Sequence, residues 1–195
     1  MKFILYFLFF ALIHSFFAMD RTKNKAEKLL GKGFRYYRLL YSLISIPLIL
    51  PAFMVWITYS KSTPVVYALP QDLYPVVILV RLGALGMFWY AVLQNDFLEF
   101  ISIKQQKKNK LVTRGAYGIV RHPLYTAGIL LLITAMKMTL LDMIAVLLVT
   151  GYLLIGAFIE ESRLLSVFGN EYRKYQEKVP MFIPVKLFKR HISRI

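Results

Sequence analysis

Residues 140–161 read LLDMIAVLLVTGYLLIGAFIEE, an apolar run that ends at two adjacent carboxylates. A helix needs about 20 mostly apolar residues to cross the ~30 Å hydrocarbon core of a bilayer. Only helices and closed barrels satisfy every backbone hydrogen bond in that environment, and the run lacks the period-two alternation typical of barrel strands. Residues 140–159 therefore predict a membrane-spanning helix that places Glu160 and Glu161 at the membrane boundary.

Four other segments of the chain are similarly apolar. They lie at residues 1–19, 39–59, 76–100 and 124–138. Hydrophobic residues make up 58% of the 195 residues, more than a water-soluble domain of this size can bury. The predicted fold class is therefore all-α: a polytopic integral membrane protein with five transmembrane helices, the last two forming a tight hairpin over 123–159, and a C-terminal amphipathic helix.

The distribution of lysine and arginine predicts the orientation, because cytosolic connections between spans retain positive residues. The first and third connections are strongly basic. The first contains Arg21, Lys23, Lys25, Lys28, Lys32, Arg35 and Arg38. The third contains Lys104, Lys107, Lys108, Lys110, Arg114 and Arg121. The second connection carries Lys61 and the fourth carries Lys137. This asymmetry places the N-terminus outside, and the basic loop 20–38 and the C-terminal segment in the cytosol.

The overall charge also restricts the function. The chain has 25 Lys and Arg against 10 Asp and Glu, a balance that suits either nucleic acid or anionic membrane lipids. Because the cations follow the topology rule instead of clustering on a soluble face, membrane lipids are the expected partner and nucleic acid is not. With no cysteine, disulfides, thiolate nucleophiles and Cys-based zinc sites are excluded, and no metal site is predicted. The oligomeric state is left open.

Two blocks of the C-terminal half carry side chains suited to chemistry. Residues 110–125 read KLVTRGAYGIVRHPLY, and residues 160–175 read EESRLLSVFGNEYRKY. Pro123 suits the first turn of a helix, whose positive N-terminus favours an anion. On composition alone, a loop that enters a membrane helix and an amphipathic helix on a lipid surface also explain these blocks.

A sulfonium cofactor would give the two blocks a common purpose. Glutamates can accept hydrogen bonds from the amine or ribose of S-adenosylmethionine, and aromatic faces can attract its cationic sulfur. A helix start or an arginine can bind its carboxylate. The chain has no Gly-x-Gly-x-x-Gly signature, so such a cofactor would bind in some other way than on a Rossmann fold.

The motifs between roughly residues 105 and 185 resemble those of the isoprenylcysteine carboxyl methyltransferase family and the wider group of phospholipid methyltransferase-like membrane enzymes. Their order and spacing agree over close to half of the chain. The matching motifs are Gly115-x-Tyr117, Arg121-His122-Pro123-x-Tyr125 with Gly128, Glu160-Glu161, Phe168-Gly169-x-Glu171-Tyr172-x-x-Tyr175, Val179-Pro180 and Ile183-Pro184.

This resemblance implies S-adenosyl-L-methionine as the cofactor and S-adenosyl-L-homocysteine as its product. It implies a pocket between the loop before the fourth span and the C-terminal helix, open to the bilayer for a lipidic prenylcysteine substrate. The implied cofactor-binding residues are Lys110, Leu111, Val112, Tyr117, His122, Pro123, Leu124, Tyr125, Glu160 and Glu161. The implied catalytic residues are Glu160, near the reacting end, and Arg121, as a partner of the substrate carboxylate or of the cofactor.

The reaction expected from the resemblance is methylation of the C-terminal carboxylate of a prenylated cysteine at the cytosolic face of the membrane. That membrane would be the cell membrane in a prokaryote and the endoplasmic reticulum in a eukaryote. Residues 1–100 would be a transmembrane scaffold and 101–195 the methyltransferase region. The chain departs from eukaryotic members at Gly156, where they carry an arginine, which puts the substrate in doubt.

The residues leave two alternative functions open. N-methylation of an amine-bearing phospholipid would additionally require a base, because an ammonium group cannot attack the methyl donor. A non-enzymatic small membrane protein would have no affinity for S-adenosylmethionine.

Overall fold

A computed structural model describes residues 1–94 and 111–184 of the chain. These residues are mostly helical, as the sequence predicts. The helices and strands are α1 Lys2–Ala18, α2 Asp20–Leu30, α3 Tyr37–Tyr59, β1 Val65–Ala68, α4 Tyr74–Gln94, α5 Ala116–Ile119, α6 Pro123–Ile133, β2 Lys137–Thr139, α7 Leu140–Phe168 and α8 Asn170–Lys178. Short 3-10 helices occupy Gly31–Tyr36, Ser60–Ser62 and Gln71–Leu73.

Three helical stretches within the described residues are long and apolar enough to cross a membrane. They are Asp20–Ser62, which contains α3, Gln71–Gln94 and Leu140–Phe168. Helices α1 and α6 are also apolar but have only 17 and 11 residues. At 1.5 Å per residue, α6 is roughly 16 Å long, about half the thickness of the hydrocarbon core. The five-span arrangement and its orientation stay predictions.

The connection between the fourth and fifth apolar segments differs from the predicted helical hairpin. Helix α6 ends at Ile133, and residues 137–139 form strand β2, which pairs with β1. The backbone leaves the helical conformation at Thr134, and the Leu140 N–H donates to the Pro64 carbonyl at 2.8 Å. This two-stranded ribbon was not predicted from the sequence, because each strand is too short to show alternation.

Helix α7 begins with a reciprocal cap between Thr139 and Asp142. The Thr139 N–H donates to Asp142 Oδ2 at 2.9 Å, and the Asp142 N–H donates to Thr139 Oγ1 at 3.3 Å. This is the capping-box arrangement, which satisfies two backbone donors at a helix start. Asp142 Oδ1 also accepts from Trp56 Nε1 at 2.8 Å and from Ser60 Oγ at 2.5 Å. Asp142 therefore joins the start of α7 to the end of α3.

The described residues divide into two compact units. One contains residues 1–67 and 138–148, and in it α1 packs along α3. His14 Nδ1 lies 2.7 Å from Ser45 Oγ, and the Tyr37 hydroxyl donates to the Phe17 carbonyl at 2.9 Å. These bonds satisfy polar groups between apolar helices, so His14 takes part in helix packing. The predicted domain boundary at residue 100 lies outside the described residues and stays a prediction.

The other unit contains residues 68–94, 111–137 and 149–184, and in it α4 packs against α6. Both helices carry buried small residues: Ala84 and Ala91 of α4 and Ala127 of α6 are almost fully buried. Small side chains allow helices in a membrane to approach closely, which replaces the hydrophobic driving force available in water. Arg81 Nη2 donates to the Leu131 carbonyl at 3.1 Å, near the end of α6 where carbonyls lack helical partners.

The Asp142 interactions predict a loss of stability on substitution. We expect Asp142→Asn to lower the free energy of unfolding by about 1–2 kcal/mol, because the amide cannot accept all the hydrogen bonds that the carboxylate receives. Asp72→Asn, at an exposed aspartate, is the matched control and should leave the thermal midpoint in detergent within about a degree. Equal midpoints for the two variants would contradict this role of Asp142.

The predicted orientation can be tested directly because the chain contains no cysteine. In intact cells, a membrane-impermeant maleimide should label Lys61→Cys and leave Lys25→Cys unlabelled until the membrane is opened. Labelling of Lys25→Cys from outside would reverse the predicted topology.

Candidate functional site

The buried carboxylate of Glu161 lies at the centre of the polar cluster in the second unit. Glu161 belongs to α7, has 8% of its surface exposed, and accepts hydrogen bonds from four described side chains. Arg121 donates from Nε and Nη2 at 2.8 and 2.9 Å, one to each carboxylate oxygen. Tyr172 OH at 2.7 Å and His122 Nε2 at 2.9 Å bond Oε1, while Gln176 Nε2 bonds Oε2 at 2.6 Å. The carboxylate is therefore paired and solvated by protein donors.

The remaining donors of Arg121 bind backbone carbonyls near the end of α8. Its Nη1 donates to the Val179 carbonyl at 2.6 Å and to the Gln176 carbonyl at 3.3 Å. Forked, charge-assisted hydrogen bonds of this kind are stronger than neutral ones and fix the orientation of the guanidinium. Arg121 thus connects the loop before α6 with α7 and with the segment after α8.

The segment that follows α8 lies against the start of α6. The backbone N–H groups of Arg121 and His122 donate to the carbonyls of Pro180 and Met181 at 2.9 and 3.1 Å. Thr126 Oγ1 donates to the Phe182 carbonyl at 3.2 Å, and the Phe182 ring lies 5.6 Å from the His122 ring. These contacts bury His122 to 5% exposure.

Glu160 has a different environment from its neighbour, because adjacent helix residues point about 100° apart. Its side chain is 36% exposed, and its Oε2 accepts a hydrogen bond from Tyr125 OH at 3.2 Å. His122 Nδ1 lies 3.9 Å from the same oxygen. The His122 and Tyr125 rings are parallel with centroids 5.5 Å apart. Glu160 is therefore the accessible carboxylate of the pair.

Two tyrosines of α8 form the apolar base of the cluster. Tyr172, Tyr175 and Val179 are buried together, and the partly buried side chains packed on them are Leu111, Leu164, Leu165 and Phe168. Burial and the Glu161 carboxylate both raise the pKa of Tyr172, so its hydroxyl stays a donor. Burial likewise raises the pKa of Tyr175, whose OH donates to the Tyr117 carbonyl at 2.6 Å.

The backbone conformation at residue 115 explains why the Gly115-x-Tyr117 motif begins with glycine. Its φ of 63° lies in the left-handed region, which favours glycine. A Cβ at this position would lie 1.5 Å from Gln94 Nε2, so only glycine is accommodated. Gln94 Oε1 in turn accepts from the Ala116 N–H at 2.8 Å, which ties the start of α5 to the end of α4.

The structure brings together five of the residues selected from the sequence: Arg121, His122, Tyr125, Glu160 and Glu161. The others lie around them or at the helix start. Leu111 packs on the tyrosine cluster, Val112, Tyr117 and Leu124 are partly buried, Pro123 is buried at the first position of α6, and Lys110 lies outside the described residues. Their roles in binding or catalysis stay predictions.

Two members of the cluster, Gln176 and Phe182, were not selected from the sequence. Gln176 follows Tyr172 by one helical turn, so it shares the face that meets Glu161, and this spacing was the available signal. Phe182 follows the helix and has no periodic signal.

Comparison with known proteins identifies the relatives of the chain. The model of the NnrU protein family matches residues 2–158. Methanethiol S-methyltransferase 1 of Bradyrhizobium diazoefficiens is 30% identical over 189 residues, which cover 90% of this chain and 63% of that protein. The methanethiol S-methyltransferase of Crocosphaera subtropica is 29% identical over 192 residues, covering 90% of this chain and 71% of that protein.

A shorter similarity links the chain to the family predicted from its motifs. Protein-S-isoprenylcysteine O-methyltransferase of Schizosaccharomyces pombe is 35% identical over 97 residues, covering 47% of this chain and 40% of that protein. No solved structure matches the chain. The resemblance to isoprenylcysteine carboxyl methyltransferase-like proteins is confirmed, and the family model covers most of the sequence. The chain therefore belongs to the NnrU protein family.

Proposed function

We propose that the chain is an S-adenosylmethionine-dependent methyltransferase whose active site surrounds Glu160. One observation carries this proposal: of two adjacent glutamates, Glu161 is neutralised by Arg121, whereas Glu160 stays partly exposed beside two aromatic rings. The methyltransferase names of the relatives support it. The match covers only 63% of the first of these relatives, so the activity is a proposal for this chain.

The side chains around Glu160 suit a sulfonium cofactor. No Lys or Arg of the described chain lies within 4.0 Å of Glu160, so its negative charge is available to a cation. The parallel rings of His122 and Tyr125 add aromatic surface near this carboxylate, which suits a cationic ligand. When bound, the cofactor supplies a methyl group activated by the positive sulfur. Glu160 would accept hydrogen bonds from its amine or ribose.

The remaining predicted residues have supporting roles in this proposal. Leu111, Val112, Tyr117 and Leu124 form the edge of the cofactor site, and the predicted role of Lys110 falls outside the described residues. Arg121 and Glu161 are positioning residues, because their mutual hydrogen bonds hold the loop before α6 against α7. Methyl transfer needs alignment of two reactants and exclusion of water, and a rigid cluster beside the reacting atoms supplies both.

The proposed acceptor is an apolar thiol that enters from the bilayer at its cytosolic face. A carboxylate acceptor needs a cation, but Arg121 already binds Glu161 and two carbonyls, and Gly156 has no side chain. The relatives aligned over 90% of this chain are named for methanethiol. The carboxylate of a prenylcysteine is the second candidate acceptor. The shared motifs and the Schizosaccharomyces pombe relative favour it.

Labelled S-adenosylmethionine distinguishes the acceptors. Purified protein in detergent is incubated separately with butanethiol, a farnesylated cysteine analogue and phosphatidylethanolamine. We expect label in an extractable thioether. A base-labile ester would establish the second candidate, and a stable methylated amine would favour phospholipid N-methylation. If calorimetry detects no binding of S-adenosylhomocysteine and no product forms, the methyltransferase proposal is wrong.

The two glutamates should respond differently to the same substitution. Glu160→Gln should reduce turnover by at least about 100-fold, because loss of a charge that acts in the transition state is costly, and should leave the thermal midpoint unchanged. Glu161→Gln should lower the midpoint by several degrees, since it leaves the buried Arg121 unpaired at a cost of about 3 kcal/mol.

Both variants are compared by thermal unfolding, turnover and S-adenosylhomocysteine binding. Each substitution removes one carboxylate from the same helix and keeps the side-chain size, so each is the control for the other. Full turnover by Glu160→Gln would remove Glu160 from the active site.

A further inference from the structure

We propose that His122 accepts the proton that the acceptor must lose, with Glu161 holding its ring in the required tautomer. This inference rests on the proposed methyltransferase function and narrows its substrate class to acceptors that arrive protonated.

The hydrogen bond to Glu161 determines which nitrogen of His122 is available. Glu161 binds Arg121 through both oxygens and is therefore ionised, so it can only accept. The contact at 2.9 Å then requires His122 Nε2 to be the donor. In the neutral ring the other nitrogen, Nδ1, carries the lone pair, and it lies 3.9 Å from Glu160 Oε2. The basic nitrogen thus lies beside the accessible carboxylate.

Burial and two aromatic neighbours hold the His122 ring in this orientation. His122 is 5% exposed, and its ring is parallel to that of Tyr125 and in contact with that of Phe182. Its backbone N–H is bound to the Met181 carbonyl. A histidine oriented by a carboxylate on one nitrogen and presenting the other is the arrangement used for proton transfer in several unrelated enzymes.

The charges around His122 can accommodate a proton. Helix α7 contributes Glu160 and Glu161, and its Arg163 acts electrostatically on the neighbouring Tyr125 of α6, which is neutral. The residue that precedes His122 is Arg121. Tyr172 of α8 reaches the ring only through Glu161, and the segment after α8 contributes the apolar Phe182. Arg121 compensates Glu161, so Glu160 remains to compensate a protonated Nδ1. Protonation therefore turns the 3.9 Å contact into an ion pair.

The proposed step conserves atoms and electrons. The S–H bond of the acceptor breaks, and its proton passes to His122 Nδ1, beside Glu160. The electron pair left on that sulfur forms the new bond to the methyl group. The bond between the methyl group and the sulfonium breaks, and its electron pair stays on the departing thioether sulfur. An acceptor carboxylate is already ionised at neutral pH and would gain nothing from this base.

His122→Gln tests the inference with two thiols of different acidity. The glutamine amide can donate to Glu161 from a position close to Nε2, but it has no basic nitrogen. For butanethiol, which is protonated at neutral pH, we expect kcat to fall at least about 100-fold. For thiophenol, largely ionised at that pH, the loss should stay below about 5-fold, because no base is needed. Raising the pH should reduce the loss for butanethiol.

Two measurements separate this inference from the proposed function and from misfolding. Thermal unfolding and binding of S-adenosylhomocysteine report on the fold and the cofactor site, and Ser162→Ala, at an exposed serine next to the cluster, is the matched control. Equal losses for both thiols, or wild-type kcat in His122→Gln, would overturn the inference. So would failure of the wild type to methylate either thiol while it binds S-adenosylhomocysteine. Absence of that binding would instead refute the proposed function.

The wild type supplies a second test if His122→Gln does not fold. Its kcat for butanethiol should rise with pH as one group loses a proton, whereas its kcat for thiophenol should not show this rise. Identical pH profiles for the two thiols would overturn the inference.

Discussion

The buried ion pair between Arg121 and Glu161 is the constraint on which the polar cluster depends. A charge removed from water is tolerated only when it is paired and its remaining hydrogen-bonding groups are satisfied. Here the Glu161 carboxylate also accepts hydrogen bonds from Tyr172 and Gln176. The Arg121 guanidinium also donates to the Val179 carbonyl. One pair thereby joins the loop before α6, helix α7 and the segment after α8. Removing either charge would leave the other buried without a partner.

The same ion pair separates the roles of two adjacent glutamates. The helical rotation between them turns Glu161 towards α8 and leaves Glu160 beside Tyr125 and His122. Because Arg121 pairs with Glu161, Glu160 is the accessible carboxylate of the two. His122 bonds Glu161 through one nitrogen and lies near Glu160 through the other, so its tautomer depends on the ion pair as well. A single dipeptide thus provides a structural and an accessible carboxylate.

The sequence contained much of this site but not its pairings. The two blocks were found because a helix start, a glutamate pair and aromatic residues occur there at recognisable spacing. Arg121 was expected to meet a substrate or cofactor, and the structure pairs it with Glu161. Gln176 and Phe182 were missed, since their importance comes from contacts with residues far away in the sequence. The early end of α6 at Ile133 was missed for the same reason: strand β2 depends on pairing with β1.

The amino-acid sequence alone determined that this chain is built from apolar helices, because hydrocarbon leaves the backbone no other local way to satisfy its hydrogen bonds. Composition and motif order also determined its methyltransferase-like family. Only the tertiary structure decided that Glu161 is the partner of Arg121, that Glu160 stays accessible, and which nitrogen of His122 faces it. These choices depend on how α7 is rotated against α6 and α8, and no local sequence pattern specifies that rotation.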